Sequence, residues 1–130
     1  MNGSKRVLLV EDDKDDQYIF VEAMSGIQNA SLYDIANNGK EALDMLESAA
    51  FLPDLIFMDL NMPVMDGMEC LAEIVKNPQT TNIPVVILSG DISKAEHIRK
   101  AWGKPFITKS GNTDALRRKL ELAINLDYCF

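Results

Sequence analysis

Four short stretches carry side chains that could do chemistry. Glu11-Asp12-Asp13 follows one apolar run, Asp59 ends a second, Ser89-Gly90 follows a third, and Lys109 follows a fourth. If the fold gathers them, the set is three or more carboxylates, one hydroxyl and one ammonium. Clustered carboxylates repel one another and call for a cation. Oxygen donors of this kind suit Mg²⁺, which prefers a few carboxylates completed by water and substrate phosphate. A carboxylate held beside such an ion can attack a phosphoryl group and form an acyl phosphate. The loose transition state asks for positioning and charge neutralisation more than for acid–base help. Lys109 and the cation would supply charge, and Ser89 a hydrogen bond.

The elements that must deliver these residues are legible as an alternation. Arg6–Val10, apolar from Val7 on, Leu55–Met58 and Ile83–Leu88 are apolar runs without polar alternation, the pattern of strands covered on both faces. Leu32–Ala36 reads as a weaker strand, and Phe106–Thr108 as a short fifth one at a sheet edge, where Pro105 is tolerable. Between the strands lie helical stripes: Phe20, Ala23, Met24 and Ile27; Ala42, Leu43, Leu46 and Ala49; Met68, Leu71, Ala72 and Val75; and Leu116, Leu120, Ala123 and Ile124 in a closing helix over Ala115–Leu126. Asp13 opens the first helix, with Asp15 and Asp16 in a first turn where the dipole favours anions. Asn37-Asn-Gly39 turns the chain into the second. Asp66 and Gly67 cap and open the third, and Asn77-Pro78 stops it. Ser93 and Glu96 stand at capping-box spacing near the start of a fourth helix that Gly103 ends. Five strands alternating with five helices imply right-handed crossovers and a parallel sheet with helices on both faces, a three-layer α/β/α sandwich. In such a sheet ligands bind beyond the carboxyl ends of the strands, so all four stretches reach one rim.

Composition narrows the function. At 130 residues the chain fits a single domain, residues 1–130. A net charge of −7 argues against non-specific nucleic-acid binding. The single histidine, His97, disfavours a histidine-centred metal site or triad, and its predicted place is a solvated helix face. Trp102 is expected in partial core or an interface. Cys70 and Cys129 match no metal or redox spacing and read as free thiols in a reducing cytosol. Neither a signal peptide nor a membrane-spanning run is visible, so a cytoplasmic location and no membrane partner are expected.

The stretches VLLVEDD, PDLIFMDLNMPVMDG, VVILSG and FITK, in that order, resemble the four signatures of the two-component response-regulator receiver domain. The resemblance runs from about Lys5 to the last helix. It implies the flavodoxin-like strand order 2-1-3-4-5. It implies Asp59 as phosphoacceptor and a Mg²⁺ site of Glu11, Asp12, Asp59 and the backbone carbonyl of Asn61. It also implies Ser89 as the switch hydroxyl, Lys109 as the phosphate-contacting lysine and Phe106 as a switch aromatic. The implied partners are a sensor histidine kinase or histidine phosphotransfer protein, and an output protein of unknown identity on the face of the fourth helix, fifth strand and fifth helix. Such a domain is no ordinary enzyme, though it catalyses its own aspartyl phosphorylation and dephosphorylation. No DNA-binding module is seen to follow. Two other functions fit the residues less well. An aspartyl-intermediate phosphatase usually wants an aspartate where Asn61 stands, and a phosphorylation-independent adaptor would not need the full chemical set. A nucleotide or flavin module lacks its glycine-rich loop after the first strand. Two departures from the family stand out. Ser110 occupies the place of a proline that usually follows the lysine in cis. Because a cis bond before a non-proline costs about 3–4 kcal/mol, Lys109–Ser110 is expected to be trans, or cis with compensating contacts. The stretch from Ser89 to Lys109 is also slightly short.

Overall fold

In a computed structural model, described for residues 4–48 and 52–125, five parallel strands form one sheet in the order β2-β1-β3-β4-β5. The strands are β1 (Lys5–Val10), β2 (Ala30–Ala36), β3 (Leu55–Met58), β4 (Val85–Ser89) and β5 (Phe106–Thr108). The helices are α1 (Lys14–Ser25), α2 (Gly39–Ser48), α3 (Gly67–Lys76) and α5 (Thr113–Asn125). We use α4 for three consecutive pieces: a 3₁₀ turn at Ile92–Lys94, an α-helical turn at Ala95–His97 and a π-helical turn at Ile98–Trp102. This is the doubly wound, flavodoxin-like sandwich expected above, with the strand order as implied.

Alternation along the strands sorts the core into two layers. Leu8, Val10, Ile56, Met58, Val85 and Ile87 face α2, α3 and α4. Val7, Leu9, Leu55, Phe57, Val86 and Leu88 face α1 and α5, where Phe20 meets Phe57 edge-on at 5.5 Å. Because β1, β3 and β4 are covered on both sides, their runs have no polar alternation. Edge strand β2 is only partly covered, with Ser31, Tyr33 and Asp34 exposed. Pro105 precedes the other edge strand, as its missing N–H requires.

Several details differ from the sequence reading. The buried face of α3 is Gly67, Cys70, Leu71 and Ile74, whereas Val75 is exposed and Met68 and Ala72 are half-buried. The stripe is shifted by one residue because the Cys70 thiol acts as an apolar core group. Its Sγ donates to the Gly39 carbonyl at 3.5 Å, and burial pushes its pKa up to about 12. Asp66 does cap α3, in a reciprocal capping box with Glu69. The cap of α4 is Asp91 rather than Ser93: the Asp91 carboxylate accepts from both the Ser93 N–H and its hydroxyl. Gly103 ends α4 in the left-handed conformation (φ 65°), as expected of a helix stop. Strand β4 starts later and ends later than expected, so Ser89 belongs to it. Lys109–Ser110 is trans, since no described peptide bond is cis. His97 is exposed and Trp102 partly buried against the core, as expected. Ala49, Leu126 and Cys129 lie outside the described residues.

One backbone feature was not foreseen. Val64, in the β3–α3 loop, has φ 68° and is 80% exposed. It centres a three-residue turn closed by the Met65 N–H on the Pro63 carbonyl at 2.7 Å. A β-branched residue in this region is strained by about 1–2 kcal/mol. Val64→Gly is therefore expected to raise the urea midpoint, with a gain of about 1 kcal/mol after the larger unfolded-state entropy of glycine is subtracted. A lower midpoint would show that Val64 contributes packing that offsets its strain.

Candidate functional site

At the carboxyl ends of β1, β3, β4 and β5 lies an open cavity of about 360 Å³. Its lining includes Glu11, Asp12, Asp59, Asn61, Ser89 and Lys109, so the structure brings together every predicted site residue but one. Phe106 is the exception. It is buried in the core layer under α4, with the Arg99 guanidinium 6.0 Å from its ring centre. A second cavity of about 380 Å³ between α2 and α3, lined by Leu43, Leu46, Glu73 and Thr80, collects no comparable set.

The positions follow from the strands. Asp59 directly follows β3, where its N–H still bonds the Val10 carbonyl at 2.9 Å, so its side chain is aimed by the sheet. Glu11 extends β1 in the same way, bonded to the Ala36 carbonyl at 2.9 Å. The Gln17 amide donates to the Glu11 carbonyl at 2.6 Å and to Asn37 at 2.9 Å, which ties α1 to the rim. Ser89 is 1% exposed, and its Oγ accepts the Asp91 N–H at 3.1 Å. The Lys109 N–H bonds the Ser89 carbonyl at 3.0 Å, joining the ends of β4 and β5.

The Lys109 ammonium is the electrostatic centre. It lies 2.8 Å from Glu11 Oε1, 2.7 Å from Asp16 Oδ2 and 3.3 Å from Asp59 Oδ1. Burial works against its charge, yet hydrogen bonds to Asp16 and Glu11 outweigh burial and hold its pKa above the ordinary value. Burial lifts the Glu11 carboxyl from the ordinary 4.5 to about 7; Lys109 and the Asp13 N–H oppose the rise, and the Asp59 charge adds to it. Burial also raises Asp59, against the pull of Lys109. Asp16 is the participant that sequence reasoning missed. As a first-turn acid it already had a local explanation, and its partner lies 93 residues away. The one available signal is its place in the first turn of α1, at the rim where the strand ends converge.

Glu11, Asp12 and Asp59 each offer one carboxylate oxygen, all within 4.8 Å of one another. Three hard oxygen donors that close, with a single ammonium among them, fit a divalent cation.

This fold and this rim define a class, and sequence comparison agrees. The model of the response regulator receiver domain matches residues 7–121, and the chain belongs to that family, a component of two-component signalling. It is 38% identical over 127 residues to the response regulator Rcp1 of Synechocystis, covering 92% of this chain and 86% of that protein. It is 28% identical over 123 residues to the sensor histidine kinase CheAY of Helicobacter pylori, covering 93% of this chain but only 15% of that protein. Among solved structures it is similar to the phosphorylated cyanobacterial phytochrome response regulator RcpA (TM-score 0.80, 34% identity, 93% of this chain and 91% of that one). It is likewise similar to the Mn²⁺-bound form of Rcp1 (TM-score 0.79, 30% identity, 97% and 99%). Receiver domains bind a divalent metal and work with histidine kinases or phosphotransfer proteins. No helix among the described residues is long and apolar enough to cross a membrane.

A pH dependence follows from the cluster. With the Glu11 carboxyl raised from 4.5 to about 7, the folded metal-free protein binds more protons than the unfolded chain across that window. Its stability therefore falls as pH rises through the window, by about 1–3 kcal/mol. A cation that replaces those protons stabilises most where the carboxylates are ionised. In EDTA the melting temperature is expected to drop between pH 5.5 and pH 8. Mg²⁺ should raise it far more at pH 8 than at pH 5.5, and Glu11→Gln should flatten both responses. A flat wild-type profile in EDTA would contradict the assignment of Glu11.

Proposed function

We propose that this chain is a single receiver domain that accepts a phosphoryl group on Asp59 from a histidine kinase or phosphotransfer partner. The observation that carries the reading is Asp59 itself: a carboxylate 5% exposed at the floor of an open acidic cavity, 3.3 Å from a lysine. Its carboxylate meets the Leu60 N–H and the Lys109 ammonium, and it still lines an open cavity of about 360 Å³, room enough for a phosphoryl group beside it.

Glu11, Asp12, Asp59 and the Asn61 carbonyl would hold Mg²⁺. The ion, when bound, neutralises charge on the phosphoryl oxygens. The chain's own side chains do the rest. An Asp59 Oδ forms the new bond to phosphorus while the bond to the donor's imidazole nitrogen breaks, and the electron pair leaves with the imidazole. Lys109 donates to a phosphoryl oxygen in place of its contact with Asp59. The Ser89 oxygen already accepts the Asp91 N–H, which leaves its O–H to donate to a second phosphoryl oxygen. Movement of Ser89 would then be felt through Asp91, the cap of α4, and through Phe106 beneath it. The face of α4, β5 and α5 is the proposed output surface. The net charge of −7 speaks against non-specific nucleic-acid binding by the chain as a whole, and we place the chain in the cytoplasm with its kinase. Neither the phosphatase nor the adaptor reading draws support from a specific contact.

The test is the intact mass of the protein after incubation with acetyl phosphate, with Mg²⁺ and with EDTA. A single phosphoryl adduct that forms only with Mg²⁺ is expected. Absence of an adduct from folded protein under both conditions would end the phosphoacceptor reading.

A further inference from the structure

We propose that Asp16 is the positioning residue for Lys109: a fixed counter-charge, outside the metal cluster, that keeps one ammonium N–H aimed at the phosphoryl position. For its catalytic half the inference rests on the phosphoacceptor reading above.

A lysine ammonium has three donors and no acceptor. Here three carboxylates meet it, from Glu11, Asp16 and Asp59. Two of those partners are committed elsewhere during function. Glu11 and Asp59 belong to the group whose oxygens converge within 4.8 Å and suit a cation, and Asp59 is the group that would be esterified. Asp16 belongs to neither set. It makes the shortest of the three contacts, at 2.7 Å, and it approaches from α1 rather than from the strand ends.

The surroundings make this contact more than a surface ion pair. The Lys109 side chain is 22% exposed and the Asp16 side chain 36%. Both line a small recess walled by Ile19, Phe20, Leu88 and Leu116 as well as the open acidic cavity, so apolar side chains cover one side of the pair. Such a wall strengthens a charge-assisted hydrogen bond relative to one in open solvent. Lys109 needs the help. Its backbone is anchored at Ser89, but the ammonium hangs on a flexible four-carbon stem. A stem fixed at its tip by Asp16 has little freedom left to lose when a phosphoryl oxygen arrives, which is how orientation lowers a barrier.

The experiment pairs a double-mutant cycle with a direct view of the ammonium. The rate of adduct formation from acetyl phosphate and Mg²⁺ is measured in the wild type, Asp16→Asn, Lys109→Gln and the double variant. The Lys109 side-chain ammonium resonance is followed by ¹⁵N NMR in metal-free wild type and Asp16→Asn. We expect Asp16→Asn to slow the adduct about five-fold, to leave the rate unchanged in the Lys109→Gln background, and to broaden or erase an ammonium signal that is sharp in the wild type. Asp16→Glu, which keeps the charge and serves if the asparagine variant does not fold, is expected to recover at least about half of the lost rate. A wild-type rate in Asp16→Asn, an equal slowing in both backgrounds, or an unaltered ammonium signal overturns the proposal. If the wild type itself forms no adduct, the phosphoacceptor reading fails alone, and the ammonium signal still decides whether Asp16 holds Lys109.

Discussion

Asp59→Asn is expected to take up no phosphoryl group from acetyl phosphate, a loss of at least about a hundred-fold, because the amide is no nucleophile toward phosphorus. The same variant is expected to melt higher than the wild type in EDTA. Asp59 is buried, its carboxyl is raised by that burial, and it shares the floor of the cavity with Glu11. Asparagine is nearly isosteric, so little packing is disturbed. Removing one partner of a buried ion pair is costly when the other charge is stranded. Here Lys109 keeps Glu11 at 2.8 Å and Asp16 at 2.7 Å, so nothing is stranded. The gain should be about 1 kcal/mol without metal, and it should shrink or reverse in Mg²⁺ if, as proposed, Asp59 is one of the ligands that hold the ion. A site that is less stable for being functional is a common arrangement. An adduct of undiminished rate in Asp59→Asn would place the acceptor elsewhere. A lower melting point in EDTA would show that the Asp59–Lys109 contact outweighs burial of the charge.

The legibility of this chain depends on which interactions are local. Strands β1, β3 and β4 could be read because a strand buried on both faces must be apolar throughout, and Val7–Val10, Leu55–Met58 and Val85–Leu88 are. The site could be read because each of its residues stands where such a run stops. Strand order was different: alternation alone permits several sheets, and the order came from family resemblance. Other features were hidden by chemistry that periodicity does not record. Cys70 sits in the core as a small apolar group, and counting it as a thiol shifted the α3 stripe by one residue. The change from 3₁₀ through α to π in α4 is a matter of hydrogen-bond register, set where Asp91 starts the segment and Gly103 ends it. Nor does the residue type of Val64 announce a positive φ; the short Pro63–Met65 closure imposes it. The Asp16–Lys109 contact exists only once β5 lies beside β4 and α1 packs against α5.

Gly67→Ala is expected to be the most disruptive single methyl in the β3–α3 region. A Cβ at this position would lie 2.2 Å from the Asp59 carbonyl oxygen and 2.8 Å from the Leu60 Cα. Both are backbone atoms, so no side chain can rotate away. The crowding exists because α3 begins hard against the end of β3. The Gly67 N–H bonds the Leu60 carbonyl at 2.8 Å, and Asp66 caps the helix one residue earlier. That approach brings the start of α3, with its capping box, against the segment that presents Asp59. Relief requires either α3 or the Asp59–Leu60 peptide to move by more than half an ångström. The first breaks the packing of Cys70, Leu71 and Ile74, all buried, and the second misaims Asp59, the proposed phosphoacceptor. Overpacking of this kind costs about 1–3 kcal/mol and more where the backbone must give way, so a loss of about 3 kcal/mol is expected in urea unfolding. Adduct formation should fall by more than stability alone explains, since a displacement near 1 Å at the reacting group can cost about a hundred-fold. Folded Gly67→Ala protein that phosphorylates at the wild-type rate would show that the start of α3 can shift without carrying Asp59 with it.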